Sequence, residues 1–162
     1  QFLWYFINAF FFSSRLFPFS TLKSFLLRLF GADVGVFVII KPAVNIKYPW
    51  KLKIGSNCWI GECVWIDNLA SVTIGSNVCI SQGAMLLTGN HDSASTTFNL
   101  IIKPIVIEDG TWIGAKAIVC PGVTCGSHSI LTVNSIAVSD MESYGIYQCN
   151  PASYKKERTI IK

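Results

Sequence analysis

From Val34 onward, one aliphatic residue recurs at every sixth position. The first run is Val34, Ile40, Ile46 and Leu52. It restarts two residues later as Ile54, Ile60, Ile66 and Val72, and again as Ile74, Ile80 and Leu86. After a gap come Ile107, Ile113 and Val119, then Cys125, Leu131 and Ala137. Three stretches carry related text: LKIGSNCWIGECVWI from 52, VTIGSNVCISQGAML from 72 and IVIEDGTWIGAKAIV from 105. A helix would place apolar residues three and four apart, and the frequency of Gly, Pro and Asn argues against one. A plain two-residue alternation would not put a small residue so often just after the aliphatic one. A period of six fits a short strand followed by a tight corner, and three such units make one coil of a triangular solenoid. The aliphatic residues then point inward and stack into ladders, while small residues such as Gly55, Gly61 and Gly75 ease the corners. The solenoid is expected over residues 33–140, between a helical segment at 1–32 and a tail at 141–162.

The rhythm stops at MLLTGNHDSASTTFNL, residues 85–100. Ile54 to Ile74 spans 20 residues and Ile74 to Ile107 spans 33, so 13 extra residues leave the coil as a loop at about 88–101. A solenoid does not need such a loop for stability, and insertions of this kind often carry the binding function. The loop holds His91, one of only two histidines, between Asn90 and Asp92. An imidazole with an ordinary pKa of roughly 6.5 is mostly neutral yet still basic near pH 7, which suits a general base. Asp92 or a backbone carbonyl would fix its tautomer. The plainer alternative is a surface turn made by Asn90 and Asp92. His128, in CGSHS, reads as a solvated turn residue.

With 162 residues the chain has room for one domain with a substantial core. Half of it is hydrophobic (51%) and only 14% is charged, which favours a long continuous core, an oligomer or contact with a membrane. The net charge of +4 is mild. It suits an anionic small molecule or an acidic membrane surface, and no clustered basic tract points to nucleic acid. The six cysteines form no CxxC pair. They read as reduced core or near-core thiols of a reducing, cytoplasmic compartment. Residues 1–14, QFLWYFINAFFFSS, are uncharged and aromatic. The run is shorter than the roughly 18–20 apolar residues of a bilayer span, and it lacks the marks of a signal peptide. It is expected to form a helix packed on the domain or on a neighbouring subunit. A sharper alternative is an anchor at the inner face of a membrane, with Arg15, Lys23 and Arg28 at the headgroups.

The chain resembles the hexapeptide-repeat acyltransferases, and among them the acetyltransferases assigned to colanic acid biosynthesis. The likeness is carried by LRLFGADVG (27–35), KYPWKLKIG (47–55), VTIGSNVCISQGA (72–84), TGNHD (88–92), PIVIEDGTWIGAKAIVCPGVT (104–124) and NPA (150–152), and it covers essentially the whole chain. It implies an all-β fold, a left-handed parallel β-helix with an N-terminal helical segment and one extruded loop. That hand runs against the usual crossover rule and is not legible in the spacing. It also implies a homotrimer with active sites between subunits, acetyl-CoA as co-substrate, no metal, and a sugar or polysaccharide precursor as acceptor. His91 takes the place of the family's general base, with Asp92 beside it. The Ala115 N–H takes that of the oxyanion donor. Trp112, Gly114, Ala115, Val133, Asn150 and Pro151 fall where the family contacts CoA, while Gln82, Asn90 and Asn68 are candidate acceptor contacts. The acceptor-side asparagine of the galactoside acetyltransferases aligns with Gly61. Thr132 and Cys149 stand where glycines are usual, Ser139 and Ser153 where basic residues are usual. These departures weaken the expectation for CoA at the C-terminal coils, with Lys155, Lys156 and Arg158 as candidate substitutes.

Two other readings share the architecture. A zinc hydrolyase of the γ-carbonic-anhydrase kind needs three histidine ligands, and this chain has two at unmatched positions. A catalytically weak or silent structural trimer is the alternative that the altered C-terminal coils keep open.

Overall fold

In the computed structural model, which describes residues 1–160, the sixfold rhythm is a parallel β-helix of triangular cross-section. Each coil contributes one short strand to each of three parallel sheets, here faces A, B and C. Face A stacks Val34, Ile54, Ile74, Ile107 and Cys125, with Met141 added by a single bridge. Face B stacks Ile40, Ile60, Ile80, Ile113, Leu131 and Tyr147. Face C stacks Ile46, Ile66, Leu86, Val119 and Ala137. Five coils are complete and a sixth lacks its C strand. Every ladder residue read from the sequence is at most 6% exposed. Each buried isoleucine favours the fold by about 1.5–3 kcal/mol over its exposed state, which drives the stacking.

A second inward row runs two residues ahead of the first. On face A it is Ala32, Leu52, Val72, Ile105 and Val123, all buried. Leu52 and Val72 therefore belong to this second row, which explains the two-residue restarts. Coils 1 and 2 are each lengthened by two residues after face C, the first through the 3-10 turn Pro49–Lys51.

The corners differ from expectation. Three residues after most ladder positions of faces A and B the backbone enters the left-handed region, and the residue there is usually not glycine. Phe37, Ala43, Asn57, Cys63, Asn77, Lys116, His128, Asn134 and Tyr144 all hold φ between 56° and 60°. The glycines that follow the ladder residues serve a different purpose. A Cβ on Gly61 would stand 2.6 Å from the Gln82 amide nitrogen of the coil above. Close coil-to-coil approach selects glycine there, and corner geometry does not.

The N-terminal segment closes the open end of coil 1. It comprises α1 (Phe2–Ile7), a π-helical continuation (Asn8–Phe12) and α2 (Ser20–Leu29). Edge strands expose unpaired backbone groups, and here each of the three is capped by side chains. Trp4 donates to the Ile46 carbonyl and Asn8 accepts from the Ile46 amide on face C. The Ser20 hydroxyl and the Lys23 ammonium bond the edge on face B at Ile40 and Lys41. Arg28 donates to the Val34 and Gly35 carbonyls on face A. This corrects the picture of Lys23 and Arg28 at lipid headgroups. Lys23 is 1% exposed and both head groups are committed to backbone carbonyls.

The solenoid also extends past residue 140. Gly145–Gln148 continues face B, and Ser153–Glu157 folds back on it as an antiparallel strand. Residues 141–157 therefore belong to the fold, because the exposed edge of coil 5 still offers hydrogen bonds to be met. The cysteine expectation holds for Cys58 and Cys125, which are buried, but Cys63 and Cys149 are exposed because they sit on corners.

Candidate active site

The 13-residue insertion emerges at the corner between faces C and A. It is a β-hairpin rather than a featureless loop, with Gly89–His91 paired antiparallel to Leu100–Ile102. Buried Thr88 fixes its base, donating to the Asp67 carbonyl at 2.8 Å and accepting from the Ala70 amide at 3.0 Å. His91 closes the ladder with an exposed side chain. Its Nδ1 lies 2.6 Å from the Phe98 carbonyl oxygen. A carbonyl can only accept, so Nδ1 carries the proton and Nε2 keeps its lone pair. The ring is thereby oriented with Nε2 directed away from the hairpin backbone.

Asp92 plays a different part from the one expected. Its carboxylate accepts from the Ala94 amide at 2.9 Å and its own amide donates to the Asn99 carbonyl. It shapes the hairpin turn, while the backbone at Phe98 orients the histidine. Asn90 accepts from the His91 amide at 2.8 Å and stays exposed beside it.

A second group of candidates collects at the corner between faces B and C. Gln82, Ala115 and Val133 each follow a face-B ladder residue by two positions, in coils 3, 4 and 5. They form a column with a spacing of roughly 4.8 Å. Neither the Ala115 nor the Val133 amide has an acceptor among the described residues, so each is a free donor. Gly114 lets these coils approach, since a Cβ there would meet the Val133 nitrogen at 2.6 Å. Trp112 flanks the column on face B, 45% exposed, and its Nε1 donates to Ser81 Oγ at 2.9 Å. The segment holding Asn150 and Pro151 crosses the end of the column. Cys149 accepts from the Ile136 amide and Ala152 donates to the Ile136 carbonyl. One side of the triangle, roughly 15–20 Å of extended chain, separates this column from the His91 corner.

Asn68 is a correction. It is fully buried, and its carboxamide is held between the Tyr48 amide and the Tyr48 carbonyl. It secures the long corner of coil 1 and has no surface to offer an acceptor. The departures in coil 5 are structurally accommodated. Thr132 keeps its Cβ because the chain leaves the ladder just above it, at Cys149, whose φ of 85° turns the backbone away. Ser139 and Ser153 are exposed. Of the candidate substitute cations, Lys155 and Lys156 are exposed, whereas Arg158 donates to the Gly110 and His128 carbonyls at 2.9 Å. His128 is more than a solvated turn residue, because its ring stacks on Tyr144 at 4.9 Å. Sequence reasoning missed Thr88, Ser81 and Phe98. Phe98 acts through its backbone, which no residue type announces.

A hexapeptide parallel β-helix with one histidine-bearing hairpin thrown from a corner defines the class of hexapeptide-repeat acyltransferases. The solved hexapeptide-repeat acetyltransferase VCA0836 of Vibrio cholerae superposes with a TM-score of 0.82 at 25% identity, over 90% of this chain and 85% of that one. The neighbouring solenoids are left-handed, and so is this one. The chain belongs to the family of colanic acid biosynthesis acetyltransferases. It is 40% identical over 136 residues to the "Putative colanic acid biosynthesis acetyltransferase WcaF" of Escherichia coli (strain K12), across 84% of this chain and 75% of that one. It is 31% identical over 119 residues to the galactoside O-acetyltransferase of the same organism, across 72% of this chain and 59% of that one. No family model matches the chain.

Proposed function

We propose that the chain transfers the acetyl group of acetyl-CoA to a hydroxyl of a sugar in a surface polysaccharide or its precursor. The observation that carries this reading is His91, with Nδ1–H on the Phe98 carbonyl and Nε2 free on an exposed hairpin. Nε2 takes the proton of the acceptor hydroxyl as that oxygen attacks the thioester carbonyl. The Ala115 amide donates to the developing oxyanion. Collapse of the tetrahedral intermediate expels the CoA thiolate, which takes a proton, and leaves the O-acetyl sugar. CoA would run along the B–C corner, with Trp112, Gly114, Ala115, Val133, Asn150 and Pro151 along its length, and the acceptor would meet Asn90 and Gln82.

The base and the donor column stand on different corners of one chain. A homotrimer that sets the C–A corner of one subunit against the B–C corner of the next would bring them together. The relatives support the reaction class: an E. coli relative is a galactoside O-acetyltransferase, and a solved neighbour is galactoside acetyltransferase in complex with coenzyme A. Sedimentation and calorimetry test the whole reading. A trimer that binds acetyl-CoA and acetylates a hexose acceptor is expected. A chain that shows no heat of binding at millimolar acetyl-CoA is not a transferase and fits the silent structural trimer.

A further inference from the structure

The acyl-transfer reading leaves unused an exposed apolar surface, the outer side of the N-terminal cap. We propose that this cap is a membrane-interface module which seats the coil-1 end of the solenoid on an anionic lipid bilayer. Nothing in this inference depends on the acyl transfer.

The cap is built inside out. A helix covering a soluble domain turns its apolar stripe inward and its polar face to water. In α2 the inward residues are Lys23, Ser24 and Leu27, all buried; the Lys23 ammonium caps the face-B edge of coil 1, while the Ser24 hydroxyl has no partner among the described residues. Leu22, Phe25 and Leu29 form the outward stripe at helical spacing, and Phe25 and Leu29 are 57% and 65% exposed. The first helical stretch does the same. Trp4 and Phe12 turn inward, while Phe2, Phe6 and Phe10 make an outward ridge of one residue every four. Leu16 and Phe19, between the two helices, are also exposed. Nine of the eleven phenylalanines of the chain fall within its first 30 residues. Exposed apolar surface gathered in this way marks a contact with lipid or protein.

Charge chooses between the two. Residues 1–32 contain Arg15, Lys23 and Arg28 and no Asp or Glu. Two caps pressed face to face would set one Arg15 guanidinium against the other with no carboxylate from residues 1–32 to pair them, whereas anionic headgroups supply the counter-charge. Of the three, Arg15 is exposed and bears no committed hydrogen bond among the described residues, while Lys23 and Arg28 hold their charge at the rim of coil 1. The contact lies on the surface. Among the described residues no helix is long and apolar enough to cross a membrane. The hairpin and the donor column belong to coils 3 to 5, so the lipid contact leaves them open to water.

Flotation of the full chain with vesicles tests the proposal. The protein is expected to float with phosphatidylcholine vesicles that contain phosphatidylglycerol, and at least tenfold less with phosphatidylcholine alone. The double variant Phe25→Glu/Leu29→Glu should lose binding tenfold or more with an unchanged melting midpoint, since both side chains point outward. Arg15→Glu, which touches no core residue, should lose the preference for anionic vesicles. Wild-type protein that stays unbound at every lipid composition would overturn the proposal. So would a drop in oligomer order for Phe25→Glu/Leu29→Glu without lipid binding, which would make the cap a protein interface.

Discussion

At the scale of the residue, one short contact orients the candidate base. The Phe98 carbonyl fixes the His91 tautomer, and the adjacent carboxylate that sequence made the natural partner is occupied in a turn. His91→Ala should therefore lower kcat roughly 10²–10⁴-fold, the usual contribution of a general base, with the KM for acetyl-CoA little changed. Asp92→Ala should retain most of the activity, because Asp92 touches neither ring nitrogen. Initial rates with a saturating acceptor separate the two, and an equal loss in both variants would return Asp92 to the catalytic group. The histidine was legible in the sequence because it interrupts a strict repeat. Its orienting partner was not, since a backbone carbonyl is present at every residue and only folding brings one to a given nitrogen. Asn68 shows the opposite failure. Its residue type suits a sugar contact, yet the corner needed its carboxamide for Tyr48.

At the scale of the element, the ladder and the corner obey different rules. Ladder positions demand bulk and apolarity, so they show in the sequence and every one read there is buried. Corner positions demand only a left-handed backbone, which residues as different as Phe37, Lys116 and His128 adopt. That tolerance hides them. Glycine appears where the next coil approaches too closely for a side chain, as at Gly61. Gly61→Ala should cost about 1–3 kcal/mol, the usual penalty of overpacking, because the opposing atom is backbone and cannot rotate aside. Urea unfolding measures it. A loss of only a few tenths would mean that the coils can slide apart. The hairpin was legible as an insertion of the right size, but its strand pairing was not, because TGNH and NLII carry no alternating pattern that survives without the partner strand.

At the scale of the whole molecule, the buried core sets the response to pH. Burial pushes the Cys125 thiol from 9.0 up to about 12, with the Asp140 carboxylate adding in the same direction. Burial also raises Cys58, Cys79 and Cys120. As pH rises above 9 the unfolded chain releases these protons while the folded chain keeps them, so the thiols lower stability as pH climbs, Cys125 over the window from about 9 to 12. Lys23 opposes this. Desolvation lowers its ammonium from 10.5 to about 8, so between those values the unfolded chain holds the extra proton and stability rises with pH. Replacing Cys125 isolates the first effect. Cys125→Ala should be less stable at pH 8 through its cavity, yet decline less steeply above pH 9 than the wild type, as followed by denaturant midpoints across the range.

The sequence by itself determined the solenoid, its ladders, the place and size of the insertion and the identity of the candidate base. Each of these rests on burial, a repeating demand that selects residue type at fixed spacing. Only the tertiary structure decided which polar groups the candidates meet. The edge of coil 1 drew Lys23 and Arg28 inward and left phenylalanines outside, and the end of the ladder made room for Thr132. It also placed His91 and the Ala115 amide on separate corners. Hydrogen bonds to backbone have no residue code, so their partners exist only once the coils are stacked.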